Sequence, residues 1–363
     1  MASRRNRAEG QDEPDLMARN KLPEEGMLLQ SYEEEEGDGK EDWSDPEVVY
    51  ANRFRDYWNH VWAGAFGSFE DVTAIPPMLY TSTPCPSARP RTILQIFSVK
   101  VAAIKDSLQW PLDVYGFVAA RDFLDQNRNI IFSRSRDNCQ KRTNRSYLSY
   151  CVVGSYRFEV GLKVKGTNKS EDKDLSILVV PFLKGIHTCV VNGVYSSSLS
   201  SLDLTFGHLV HSVEATISLK VLSGSCSDGF GGIFAASTTS IDDKEVSWLA
   251  FEDGKFPVTH DGLIQPSRRV ACVELKGELK VSIVPRCQDE DRAIERDNMD
   301  FTPKEAGISS GILKVSSCEM EVIDPWSLLS STPFFGTYLR RISIWSKLTG
   351  LGGEIQEGRT MEN

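Results

Sequence analysis

The sequence predicts an all-β fold, an antiparallel β-sandwich built from two related halves, preceded by an amphipathic helix and a disordered acidic arm. Three observations predict it. First, between about residues 93 and 326 apolar and polar side chains alternate, as in Phe158-Val160-Leu162-Val164, Leu202-Leu204-Phe206, Val213-Ala215-Ile217-Leu219-Val221 and Leu279-Val281-Ile283. Period-two alternation is the mark of a strand with one face on a core. Second, turn signals punctuate these runs at Gly166-Thr167-Asn168, Asp228-Gly229, Asp253-Gly254 and Asp261-Gly262, a spacing that favours a sandwich or barrel over a parallel sheet with crossover helices. Third, Ser98–Asn138 lies over Glu214–Gly254 without a gap at a shift of 116 residues. In that alignment Ser107 meets Ser223, Gly116 meets Gly232, Ala119 and Ala120 meet Ala235 and Ala236, Asp137 meets Asp253 and Phe132 meets Trp248. The shared small residues suit a strand that another layer approaches closely, and the unit of roughly 115 residues places the halves near 95–210 and 211–326.

Composition bounds the classes before any motif is sought. The chain has 363 residues, of which 40% are hydrophobic and 25% charged, with a formal net charge of −10. That is enough apolar surface for a sizeable core. No run of about 18 apolar residues exists to cross a membrane as a helix. The start, MASRRNRAEGQDEPD, lacks the apolar stretch of a secretory signal, so the expected location is cytoplasmic or nuclear. Eight scattered cysteines do not make a disulfide framework; in a reducing compartment they behave as small core residues, Cys189 and Cys272 most plainly. The sequons at Asn144 and Asn168 then have no glycosylation role.

Residues 1–43 read as an acidic tail. Positions 1–47 hold six basic and fifteen acidic residues, including the run Glu33–Glu36, with too few large apolar side chains to offset the entropy of ordering. They carry −9 of the −10, so the rest is nearly neutral. The acidity therefore does not by itself exclude a local basic face, but no Lys/Arg cluster with interleaved aromatics is present, and a nucleic-acid partner is not expected.

Residues 44–67 read as a helix. Ser44-Asp45-Pro46-Glu47 has the pattern of a capping box with Ser as the cap. Tyr50, Phe54, Trp58 and Trp62 recur every four residues with Val61 beside them, and Gly64 and Gly67 are candidate stops. This aromatic stripe suits docking on the chain's own β domain; a partner's groove is the alternative. Residues 68–92 contain Pro76, Pro77, Pro84, Pro86 and Pro90 and should run extended over the surface. In the first strand, Leu94, Ile96, Ser98 and Lys100 are expected on one face and Phe97, Val99, Val101 and Ala103 on the other. The continuous apolar run Leu175–Phe182 suits a strand covered on both faces. Residues 327–363 form a C-terminal tail in which Leu339, Ile342, Trp345 and Leu348, beside Arg340, Arg341 and Lys347, have the spacing of a short amphipathic helix.

No catalytic signature emerges. No C-x-x-C pair occurs. His187 and Cys189 could share a strand face, but zinc needs two further ligands; His208 and His211 suit partly buried positions near the junction of the halves. Acidic residues Asp242, Asp243, Glu245, Asp253 and Asp261 cluster in what read as loops, which calcium could use, yet their counterparts are Asn127, Arg128 and Asn129, so solvated turns are expected. Gly224-Ser225-Cys226-Ser227 is no nucleophile elbow, and Gly229-Phe230-Gly231-Gly232 leads into a strand, not a helix. The expected catalytic, cofactor-binding and metal residues are therefore none, and the expected cofactor is none. A protein partner is the class of ligand that remains.

Three blocks carry a family resemblance: Phe69–Thr81, Leu94–Gln140, with its distinctive WPLDVYGFVAARD from Trp110 to Asp122, and Leu204–Val221. Over about residues 50–325 the chain resembles the domain of unknown function 6598 family of cereal grasses. Some members look joined to a ribosome-inactivating toxin domain, which implies a link to plant defence. That toxin's active-site motif is absent, since Glu295-Arg296 lacks its spacing, and the resemblance supplies no catalytic residue. The lack of a catalytic signature, with a twofold repeat that would present similar loop sets, favours a non-catalytic binding or interaction module. A hydrolase acting on glycan or nucleic acid, and an accessory of the toxins, are the alternatives.

Overall fold

The computed structural model describes residues 45–83, 86–105, 108–142, 150–153, 156–182, 186–224, 230–251, 259, 261–264, 269–287, 297–315 and 318–330. The acidic arm, Ser44, the expected C-terminal helix with Leu339, Ile342, Trp345 and Leu348, the Asn144 sequon, Glu295-Arg296 and the turns at Asp228 and Asp253 lie outside them.

Helix α1 (Pro46–Val61) starts where Asp45 accepts a hydrogen bond from the Glu47 amide at 3.1 Å. The cap is therefore Asp45 rather than Ser44. Proline needs no amide partner in the first helical position, so Pro46 fixes the start and the residue before it must do the capping. A further turn, α2 (Ala63–Phe66), ends at Gly67 with φ +99°.

The strands follow in chain order. The first half holds β1 (Ala88–Arg89), β2 (Arg91–Ile104), β3 (Leu112–Arg121), β4 (Arg128–Arg134), β5 (Gln140–Arg142), β6 (Tyr150–Val153), β7 (Tyr156–Val164), β8 (Lys173–Phe182) and β9 (Cys189–Ser196). The long β10 (Ser200–Thr216) passes into β11 (Ser218–Ser223). Then come β12 (Phe230–Thr238), β13 (Ile241–Phe251), β14 (Leu263–Ile264), β15 (Val270–Glu274), β16 (Leu279–Cys287), β17 (Asp297–Phe301), β18 (Ala306–Val315), β19 (Cys318–Ser327) and β20 (Leu329–Ser330).

All named strand pairs are antiparallel. One outer sheet has the order β4-β3-β7-β8, and the other β13-β12-β16-β17. A third, shared sheet packs against both. In its first part β10 sits between β2 and β9, with β6 beyond β2; in its second part β15 and β19 flank the end of β10, and β18 lies beyond β19. The same pairing order thus occurs twice, and β10 is the last strand of one half and the first of the next. The two outer hairpins also carry a bulge at matching places, between Val118 and Ala119 and between Phe234 and Ala235, 116 residues apart. Within that alignment one pairing shifts: Phe132 faces Val118 while Leu249 faces Phe234. Trp248 therefore takes the place of the bulged Ile131, not of Phe132.

Each half has its own core. In the first, Leu94, Val118, Phe158, Val160 and Leu204 pack together; in the second, Phe234, Val281, Val322 and Trp326 do. The alternating runs of β7, β10 and β16 meet these cores as expected. Strand β2 does not alternate as expected, because Leu94, Ile96 and Val99 share one core. The register slips at Phe97 and again at Ala102, and each β-bulge inverts the facing of the residues beyond it. In β8 Leu178 and Val180 face the core while Val179 is buried under α1, which accounts for a continuous apolar run. Where the halves meet, β10 skips from Leu209 to Ser212 against β2, and His211 takes φ +54° at an exposed position. Among the described residues of the proline-rich segment after α2 there is no helix, and β1 pairs with β20.

Candidate interaction surfaces

The most elaborate side-chain cluster lies where α1 covers the outer face of the β4-β3-β7-β8 sheet. Phe54, Trp58, Phe69 and Val179 form one buried cluster. Phe69 stands edge-on to Phe54 and Trp58, with centroids 5.8 and 5.6 Å apart, a favoured arrangement of aromatic quadrupoles. The Trp58 indole donates to the Gln126 carbonyl at 3.0 Å.

Beneath the aromatics the floor is charged. Strand pairing sets Arg121 opposite Arg128 on β4, and Ala119 opposite Glu159 on β7. Glu159 accepts from Arg121 Nε at 2.9 Å and from Arg128 Nε at 3.0 Å, and Arg128 Nη2 bonds its second oxygen. Arg121 completes its set with the carbonyls of Gln126 (2.8 Å) and Phe69 (2.5 Å). Its guanidinium lies 4.1 Å from the Phe69 centroid and 5.3 Å from that of Trp58. Two arginines and one glutamate leave an excess positive charge, which the carbonyls and the electron-rich ring faces offset. Burial lowers the Arg121 pKa to about 10 even with Glu159 opposing it.

The loop joining β3 to β4 closes this corner. Burial, with the Asp125 charge adding to it, raises Asp122 to about 7. Its oxygens accept from the Leu124 amide at 2.9 Å and the Asn129 side chain at 3.3 Å, while Asp125 accepts from Thr73 at 2.7 Å.

A second pair of surfaces lies on β9 and β18, each of which pairs with a single named strand of the shared sheet among the described residues. Strand β9 pairs with β10, and β18 with β19. Gly193 faces Leu204 and Gly307 faces Trp326; the next residues, Val194 and Ile308, are 69% and 58% exposed. The two halves thus present a branched aliphatic side chain at matching edge positions.

The residues singled out for chemistry are not brought together. Cys189 is exposed on β9, contrary to its expected core role, because the last strand of the sheet leaves that side to solvent; Cys272 is buried. His187 is exposed, though its carbonyl lies 2.9 Å from Nδ1 of His208, which is fully buried. Asp242, Asp243 and Glu245 lie within β13, not in a loop, and Asp243, Glu245 and Asp261 are exposed. Arg128 and Asn129 open β4 and are buried, rather than occupying a loop. Among the described residues no group of three His, Cys, Asp or Glu could hold a metal ion, and no helix is long and apolar enough to cross a membrane. A cavity of about 10 Å³ at the junction, lined in part by Gln95, Phe97, Thr238 and Cys272, has room for one water.

The family described as Domain of unknown function (DUF6598) matches residues 93–323. The chain belongs to the DUF6598 family. No curated protein matches it. Among solved structures, the calcium-bound C2A and C2B domains of Extended-Synaptotagmin 2 share 12% identity with a TM-score of 0.25, over 67% of this chain and all of that one. Human GIVD cytosolic phospholipase A2 shares 8% identity with a TM-score of 0.23, over 65% of this chain and 33% of that one. Likeness at this level assigns no ligand.

The matched DUF6598 block opens within β2 and closes within β19, so it takes in both halves and the shared sheet. Arg121, Arg128 and Glu159 lie inside it, and α1 and Phe69 outside. Sequence reasoning found the aromatic stripe but missed its floor. The available signal was charged residues, Arg121 and Glu159, set inside otherwise apolar strands.

Proposed function

We propose that this DUF6598 protein is a non-catalytic interaction module that binds a protein partner along the edges of its shared sheet. The observation that carries this is the pair of exposed aliphatics, Val194 and Ile308, at matching places on β9 and β18. Exposed apolar side chains on an outermost strand supply affinity, and the strand's remaining backbone groups can pair with an incoming segment; on β18 the Gly307 amide already donates to the Thr81 carbonyl at 2.9 Å, so the aliphatic side chains carry most of the contact there. We infer also that residues 95–210 and 211–326 are copies of one unit, which would give the molecule two related edges. Immobilised protein should retain a stoichiometric partner from plant extract, and a Val194→Lys, Ile308→Lys variant should lose it. Retention of the same partner by both proteins, or no enriched partner, overturns the proposal. The sequence reading adds a cytosolic or nuclear location, and the family resemblance adds a plant source and an accessory role beside ribosome-inactivating toxins. Co-expression with such a toxin and protection of ribosomes in a translation extract would test that role.

A further inference from the structure

We infer that the groove on the outer face of the β4-β3-β7-β8 sheet is a recognition site for an aromatic-faced helix, filled in cis by α1 and able to take the same segment from a second copy of the chain. This does not depend on the sheet-edge proposal, since it concerns another face.

The argument is the contrast between the two faces of one sheet. The inner face is a permanent core of Val118, Val160 and Leu178. The outer face is floored by Arg121 and Arg128, both ion-paired with Glu159, and carries one buried aliphatic side chain, Val179. Uncovering an apolar face exposes it to water, whereas uncovering paired charges lets them hydrate, so emptying this groove costs the β body far less than opening its core. Trp, Phe and Arg in contact, with a Trp ring over a guanidinium, are also what protein–protein hot spots are made of. Covalent continuity supports the same view. The floor belongs to the family block, residues 93–323, while the helix precedes it. The occupant is specified by the contacts: an aromatic pair four residues apart, Phe54 and Trp58, the second with an indole N–H for the Gln126 carbonyl, followed by Phe69. The backbone of the 69–73 segment adds a parallel bridge, with the Arg128 amide donating to Asp71 and the Thr73 amide to Arg128.

The test uses the full chain with Phe54→Ala and Trp58→Ala, and a fluorescein-labelled peptide of residues 45–72. The peptide should bind this variant saturably and the wild type at least tenfold more weakly, because α1 occupies the wild-type groove. A peptide carrying Trp58→Ala should lose at least tenfold on the variant. Binding to neither protein, equal binding to both, or indifference to Trp58 overturns the inference. If the double variant fails to fold, a protease site inserted between Gly67 and Ser68 of the otherwise natural chain gives a second measurement. After cleavage the 1–67 fragment should dissociate on dilution from a body that keeps its β-sheet circular dichroism, and rebind on concentration. Loss of that signal as the fragment leaves, or a fragment that never leaves, overturns the inference.

Discussion

Replacing Asp324 by Asn should make the protein more stable at neutral pH. Asp324 lies on β19 between Val322 and Trp326, two residues of the second core, and is itself fully buried. Neither carboxylate oxygen has a hydrogen-bond partner among the described residues. Burial alone raises its pKa from 3.8 to about 8. A carboxyl whose folded pKa is raised contributes a penalty that is absent below the unfolded pKa and grows as pH rises, until the folded group ionises too. Here the window runs from about pH 4 to about pH 8. At about 1.4 kcal/mol per pH unit, the gap between 3.8 and pH 7 corresponds to a penalty of about 4 kcal/mol. Asparagine has nearly the same shape and leaves the same two polar positions unpartnered, but it has no proton to take up. Urea unfolding of both proteins from pH 4.5 to 8.5 checks this. The stability difference should be small at the acid end and rise towards about 4 kcal/mol near pH 7. A difference that stays flat with pH, or that favours wild type at pH 7, would refute the reasoning.

Other substitutions test the cluster under α1 and the turns that shape it. Arg121→Ala leaves Glu159 sharing only Arg128 and opens the contact with Phe69, so stability should fall by about 3–5 kcal/mol in denaturant titration. Arg121→Lys should recover only part of this, since an ammonium cannot serve Glu159, Gln126 and Phe69 in the same plane. Asp122→Asn should raise stability above about pH 5, with the gain growing towards pH 7, because burial raises that carboxyl to about 7; a pH series of thermal midpoints measures it. Gly116→Ala should lower expression of folded protein, because φ is +112° and an added Cβ would lie 2.0 Å from the Gly161 carbonyl oxygen. Circular dichroism of the soluble fraction shows whether it folds.

Much of the fold was legible because strand periodicity is local. Leu202, Leu204 and Phe206 need only alternate to reach one core, and Val213 through Val221 do the same for the other. The aromatic stripe of α1 was equally legible, since Phe54 and Trp58 fall on one side of any helix. What failed were features set by pairing. Phe97 looks like any other apolar strand residue, and only its missing partner on β10 makes it a bulge. Asp242 and Glu245 look like loop residues until β12 extends the ladder past them.

The sequence by itself determined that this chain is a β protein with a repeated pattern and an aromatic helix, because those properties depend on the spacing of side chains along one segment. Tertiary structure decided how they join. It made β10 a strand common to both halves, turned Val194 and Ile308 into matching exposed edges, and brought Arg121, Arg128 and Glu159 from three strands under Phe54, Trp58 and Phe69. Those outcomes depend on which segments meet across long stretches of chain. The ion pairs and aromatic contacts that define them exist only once the sheet has set their partners side by side.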